Sequence, residues 1–298
     1  MTPHPTAQLV DIGGQVLRVD HRPSAPGGRV STAGRDGGGA TGGDDHEVPL
    51  LLCNGIGANL ELWEPFVAAL DRPTITFDAP GVGGSSVPLY PPTLKVIAQM
   101  VVAMLDRLGV DRVDVLGLSW GGALAQELAH RHSQRVRRLV LAATLAGWTA
   151  IPGKPTVLAR MVTPRRYRDP EYLNSIAADL YGGEVRNHPD WLREHGHQRF
   201  LHQAGTRGYV YQLLAPRRWT SLPWLHTLPQ PTLVLAGDDD PIIRMVNPRC
   251  MASRIPDATL HVVEGGGHLF LMTRASEMAS IVDDFLGAAT TSRHPEPT

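Results

Sequence analysis

The 298 residues carry 28 Lys and Arg against 29 Asp and Glu, a net charge of −1, and 42% of them are hydrophobic. That balance leaves no electrostatic footprint for nucleic acid and no bulk attraction to an anionic membrane, while the length admits a full α/β core. Two cysteines, Cys53 and Cys250, are too few for a disulfide framework and read as small apolar side chains. The first twenty residues lack a basic start followed by an apolar stretch, and no run has the length of a membrane-spanning helix, so a reduced, cytoplasmic setting without a signal peptide is expected.

Residues 8–20 alternate short apolar segments around Gly13-Gly14, which predicts an antiparallel hairpin. From 22 to 47 the chain is rich in Gly, Ser, Ala, Pro and Asp with almost no large apolar residue, the composition of a flexible loop. Residues 49–53 form a buried strand running into Asn54-Gly-Ile-Gly-Ala-Asn59, and a helix is expected from Leu60 with Asn59 as its cap. Another strand at 74–77 leads into Asp78-Ala-Pro-Gly-Val-Gly-Gly-Ser-Ser86, which lacks the lysine of a phosphate-binding loop and reads as a tight turn, with Asp78 a turn residue.

Thr93 caps an amphipathic helix whose apolar face is Leu94, Ile97, Val101, Met104 and Leu108, ended by Gly109. Residues 113–132 then read as a buried strand, a sharp turn at Gly117-Leu-Ser-Trp-Gly121, and a helix. A G-x-S-x-G pattern occurs by chance in roughly one chain in ten of this length, so its place at a strand-to-helix junction is what makes Ser119 a candidate nucleophile. After a strand at 138–143 the alternation stops. Residues 147–228 are aromatic and arginine-rich, with short helical patterns broken by Pro and Gly, and are expected to form an inserted helical cap. Strands resume at 231–236 and 260–263, a final helix presents Met278, Ile281, Val282 and Phe285, and a polar tail follows from 291.

Strands alternating with helices imply an α/β fold with a mostly parallel sheet covered on both faces. Its domain division is a first core part over 1–146, a cap over 147–228 and a second core part over 229–298. Open parallel sheets carry their chemistry at the carboxyl ends of the strands. Those ends supply Ser119, then Gly237-Asp-Asp-Asp-Pro241, then Glu264-Gly-Gly-Gly-His268, the Ser, Asp, His order of α/β-hydrolase triads. A serine hydroxyl needs an imidazole to take its proton, and the imidazole needs a carboxylate to hold its tautomer. The roles fall to Ser119 as nucleophile, His268 as general base and acid, and Asp240 as orienter, with Asp238 and Asp239 as rivals able to serve as turn acceptors. The backbone N–H groups of Trp120 and Ile56 are the candidate oxyanion donors. The pairs His195/His197 and His130/His132 lack carboxylate or cysteine support and read as surface histidines, so no metal and no cofactor are implied.

Several stretches together carry a more specific likeness: Asn54-Gly-Ile-Gly-Ala-Asn59, Asp78 to Ser86, Ser119-Trp-Gly-Gly-Ala-Leu-Ala-Gln126, Pro152-Gly-Lys-Pro155, Pro164-Arg-Arg-Tyr167, Trp219-Thr-Ser221, Gly237 to Pro241 and His268-Leu-Phe-Leu271. Over most of residues 8–288 the chain resembles the intracellular poly(3-hydroxyalkanoate) depolymerases that degrade medium-chain-length polyesters. The resemblance implies an α/β-hydrolase cleaving stored polyester through Ser119, Asp240 and His268, working at granule surfaces in the cytoplasm. The stretch at 22–47 and the glycines before His268 look expanded relative to that family. A small-molecule carboxylesterase, a carbon–carbon bond hydrolase, a haloperoxidase-like or acyltransferase use of the same serine, and a non-catalytic binding protein are the alternatives.

Overall fold

The computed structural model describes residues 6–23, 48–163, 165–195 and 205–288. The expected tail from 291, His197 and most of the expected loop at 22–47 lie outside the described residues. Arg22, placed at the start of that loop, belongs instead to a strand, where it pairs with Asp20 and Glu64.

Eight strands, β1 (Ala7–Asp11), β2 (Val16–Arg22), β3 (Leu50–Cys53), β4 (Thr74–Phe77), β5 (Val113–Leu118), β6 (Val136–Ala142), β7 (Thr232–Gly237) and β8 (Ala258–Val263), form one sheet in the order β1-β2-β4-β3-β5-β6-β7-β8. β3 to β8 are parallel, and the β1–β2 hairpin pairs antiparallel with β4 at one edge. The central strands are buried on both faces because successive apolar residues serve opposite layers. Leu51 and Cys53 of β3 pack into one core, Leu50 and Leu52 into the other. Burial pushes the Cys53 thiol up to about 12, so it is protonated and unreactive at neutral pH.

On one face lie α1 (Leu94–Arg107), α2 (Trp120–Arg131) and, after β7, a helix at Val246–Arg254; on the other lie the short helix Glu64–Val67 and the last helix, Ala275–Gly287. Thr93 Oγ1 accepts the Val96 N–H, and α1 ends with Val110 N–H on the Leu105 carbonyl and Gly109 N–H on Asp106. That double closure needs the left-handed φ of +69° that Gly109 supplies.

Between β6 and β7 the regular alternation gives way to α3 (Pro155–Val162), α4 (Pro170–Tyr181), α5 (Thr206–Leu214) and shorter turns. Of α3 only Val157 is buried. α4 is capped by Asp169, whose carboxylate accepts the Tyr172 N–H at 2.9 Å, and buries Leu173, Ile176, Ala177, Leu180 and Tyr181. His130, read as a surface residue, is half-buried instead and stacks on Trp224 with ring centres 4.2 Å apart.

A helix follows from Leu60 as expected, continuing into Glu64–Val67, but its expected cap fails. Leu60–Trp63 is a 3₁₀ turn, and the Asn59 side chain does not cap it. The Leu60 N–H is taken by Asp78 Oδ1 at 2.7 Å. Asp78 is fully buried, where it also accepts from Gly84 N–H at 2.8 Å and pairs with Arg18 at 3.3 Å, while Arg18 reaches Glu61 at 2.5 Å. Burial pushes the Asp78 carboxyl above the usual carboxylate range, against the pull of the Gly84 and Leu60 N–H groups and of Arg18. The glycine-rich loop exists to wrap this carboxylate: a side chain at Gly83 would overlap Asp78 itself. Removing the acceptor by Asp78→Ala leaves the Leu60 and Gly84 N–H groups buried without their acceptor and the buried Arg18 guanidinium with Glu61 as its remaining carboxylate among the bonds described above. Urea unfolding is expected to show a loss of about 3–5 kcal/mol, and a loss below about 1 kcal/mol would mean that the cluster contributes no more than a surface pair.

Candidate active site

β5 ends in the turn that carries Ser119, whose backbone sits at φ 54° and ψ −115°. This is a strained conformation for any residue with a side chain. Main-chain bonds hold it: Ser119 N–H donates to the Ala142 carbonyl, and its own carbonyl accepts from Gly122 N–H and Thr144 Oγ1 at 2.9 and 2.7 Å. The helix leaving the turn passes so close to β3 that a side chain at Gly121 would overlap the Cys53 carbonyl. The strain thereby becomes the cheapest way to connect β5 and α2, and it lifts the Ser119 hydroxyl above the sheet.

The β8 strand end brings His268 Nε2 to 3.0 Å from Ser119 Oγ, and His268 Nδ1 to 2.7 Å from Asp240 Oδ2. The other Asp240 oxygen accepts from Ile242 and Ile243 N–H at 2.8 and 3.0 Å, so both oxygens are fixed. Its two neighbours do other work. Asp238 Oδ1 accepts the Gly265 N–H, and Asp239 accepts the Gly183 N–H while pairing with Arg186. Ser119, His268 and Asp240 thus form one hydrogen-bonded line, an arrangement able to pass a proton from hydroxyl to imidazole and hold the resulting cation.

Of the three glycines before His268, only Gly265 has a left-handed φ, +64°. Gly267 is small for another reason: residues 181–183 cross it backbone to backbone, and a side chain there would overlap the Tyr181 carbonyl, while a side chain at Gly266 would press on Val263 at the end of β8. That carbonyl accepts the His268 N–H at 2.6 Å, and the Tyr181 ring lies parallel to the imidazole with centres 6.4 Å apart. Tyr181 is therefore a support of the histidine that the sequence reading missed. The pairing of Gly182-Gly183 with a second glycine run was the available signal.

Ile56, Ser119, Met161, Arg166, Tyr181 and His268 are among the residues around a partly open cavity of about 30 Å³. Gly55 lies close above the serine, since a methyl group on it would stand 3.7 Å from Ser119 Cβ. Arg166 is buried in the wall, donating to the Tyr209 hydroxyl at 3.2 Å, and Tyr209 in turn donates to the Met161 carbonyl. Among the described residues no group of His, Cys, Asp and Glu could hold a metal, and no helix is long and apolar enough to cross a membrane.

Residues 48–275 match the family model of the alpha/beta hydrolase fold. A poly(3-hydroxyalkanoate) depolymerase of Ectopseudomonas oleovorans is 50% identical over 246 residues, 82% of this chain and 86% of that one. The chain belongs to the α/β-hydrolases, in the poly(3-hydroxyalkanoate) depolymerase family. A 2-hydroxymuconate semialdehyde hydrolase of Pseudomonas sp. (strain CF600) is 30% identical over 81% of this chain and 87% of its own length. Among solved structures, a hydrolase from Pseudomonas aeruginosa superposes with a TM-score of 0.75 at 25% identity, covering 96% of this chain and all of that one. The depolymerase family is the one that the motifs pointed to, and the mostly parallel sheet with helices on both faces is the fold expected of this α/β-hydrolase.

Proposed function

We propose that this chain hydrolyses ester bonds of medium-chain-length poly(3-hydroxyalkanoate) through a covalent acyl-enzyme. Ser119 Oγ attacks the ester carbonyl as its proton passes to His268 Nε2, with Asp240 holding the imidazolium. The ester C–O bond breaks, the leaving 3-hydroxyl takes the proton from His268, and water repeats the sequence on the acyl-serine. The N–H groups of Trp120 and Ile56 are the donors assigned to the oxyanion. The observation that carries this reading is the hydrogen-bonded line from Ser119 to Asp240 opening on the same small cavity, in a chain half identical to a protein named as such a depolymerase.

Association with the polyester surface is part of the proposal. Leu89, Tyr90 and Trp148 are about 70% exposed, at 72, 75 and 68%, which suits contact with an apolar solid. Residues 145–229 add 11 Lys and Arg against 6 Asp and Glu, a charge excess suited to acidic chain ends or granule coat proteins. Incubation with emulsified poly(3-hydroxyoctanoate) beside p-nitrophenyl octanoate tests the assignment. Release of 3-hydroxyoctanoate units from the emulsion is expected; turnover confined to the soluble ester would make the protein a small-molecule esterase.

A further inference from the structure

The helix α5 carries one residue that touches both halves of the assigned oxyanion site. Gln212 is 2% exposed. Its side-chain Oε1 accepts the Gly57 N–H at 2.6 Å, and its main-chain carbonyl accepts the Trp120 indole Nε1–H at 2.8 Å. Gly57 follows Ile56, and Trp120 follows Ser119, so the two contacts fall on the loop after β3 and on the first residue of α2.

We infer that Gln212 is a positioning residue that sets the geometry of the oxyanion donors from the opposite side of the site. The inference rests on the acyl-transfer reading above. The turn at 55–58 is also spanned by Ala58 N–H on the Gly55 carbonyl at 3.2 Å, a long bond, and by Asn54 Nδ2–H on the Asn59 carbonyl at 2.8 Å, and Gly57 holds a left-handed φ of +66°. Fixing the Gly57 N–H fixes the peptide plane that joins it to Ile56, and so restricts the adjoining Gly55–Ile56 plane that carries the Ile56 N–H. On the other side, the indole bond pins Trp120 at the start of its helix.

Helix α5 is a firm base for this. A side chain at Gly208 would overlap the Gly81 carbonyl, so the helix lies backbone against backbone on the loop after β4, and Arg207 Nη2 donates to the Leu89 carbonyl at 2.6 Å. The chemistry of the side chain is informative too. Gly57 needs an acceptor, which turns the amide nitrogen of Gln212 to a buried position with no hydrogen-bond partner among the described residues, at a cost in stability. A carboxylate would accept the same bond with no orphan donor. It would also place a negative charge beside the oxyanion that forms in the transition state, and a neutral amide avoids that.

The test compares wild type, Gln212→Met and Gln212→Glu on p-nitrophenyl octanoate, with active sites counted by fluorophosphonate labelling of Ser119. Gln212→Met is expected to lower kcat per labelled site by about 10- to 100-fold, short of the loss of a whole donor, with KM nearly unchanged. Affinity for a trifluoromethyl ketone, which forms an oxyanion, should fall by the same factor, and affinity for octanoate should hold. Gln212→Glu keeps the Gly57 bond, and its kcat relative to wild type should rise as the pH is lowered and the new carboxyl is protonated. A Gln212→Met enzyme with wild-type kcat per labelled site, or a Gln212→Glu ratio flat with pH, would overturn the inference. Failure of the wild type to label or turn over would overturn the acyl-transfer reading instead.

Discussion

Ser119→Ala is expected to reduce kcat for ester hydrolysis on the order of 10⁶-fold, the scale on which removal of a serine nucleophile acts. The fold should survive the change, because the bonds that hold the turn run through main-chain atoms of Ser119 and do not involve its hydroxyl. Alanine inherits the same φ of 54° and its strain. Glycine does not, so Ser119→Gly should be equally inactive yet more stable than Ser119→Ala, by up to about 1–3 kcal/mol. Turnover with polyester and soluble esters, read beside urea unfolding, checks both halves. Activity in Ser119→Ala within about 100-fold of wild type would assign the chemistry to another group, since that is far short of the loss expected for a nucleophile.

Asp240→Asn should lower kcat by about 10⁴-fold with little effect on stability. The remaining amide oxygen still accepts from Ile242 and Ile243, as Asp240 Oδ1 does. Its NH₂ then faces His268 Nδ1, which must become an acceptor, and the ring proton moves to Nε2, where it blocks the uptake of the serine proton. Asp238→Asn keeps an oxygen for the Gly265 N–H and Asp239→Asn loses the exposed charge pair with Arg186, and kcat should change by less than about 10-fold in either, in keeping with the small effects of surface changes. A ranking in which Asp238 or Asp239 is the critical position would transfer the orienting role to it.

The sheet was legible because its strands are short apolar runs separated by turn chemistry, and runs such as Leu50-Leu-Leu-Cys53 have the two-faced burial of a covered parallel sheet. The positions of Ser119, Asp240 and His268 were legible for a related reason: each follows a strand, and a parallel sheet gathers such ends on one edge. What escaped was tertiary. Nothing near Asn59 in the sequence announces that Asp78, 18 residues away from Leu60, will take the N–H a cap would serve. Arg18, Glu61 and Asp78 look like separate charges until the β1–β2 hairpin brings the first beside the others. Nothing in the glycine run before His268 announces that Gly267 gives passage to residues 181–183. Gln212, one polar residue in a weakly patterned helix, carries no local mark of its contacts with Gly57 and Trp120.

The partly open cavity over Ser119, at about 30 Å³, is narrow, with Met161 of α3 on its wall. Residues 181–183 are seated on the His268 loop and α5 on the loop after β4, whereas α3 buries only Val157 and is the part of the wall expected to give way. Parting that wall exposes apolar side chains to water unless something oily covers them at once, at about 25 cal/mol for each Å² of apolar area involved. A dissolved ester offers little such area, and a solid polymer face offers it in quantity. Emulsified polymer is therefore expected to be turned over faster than a short ester in dilute solution, and equal rates on the two would remove this role for the wall.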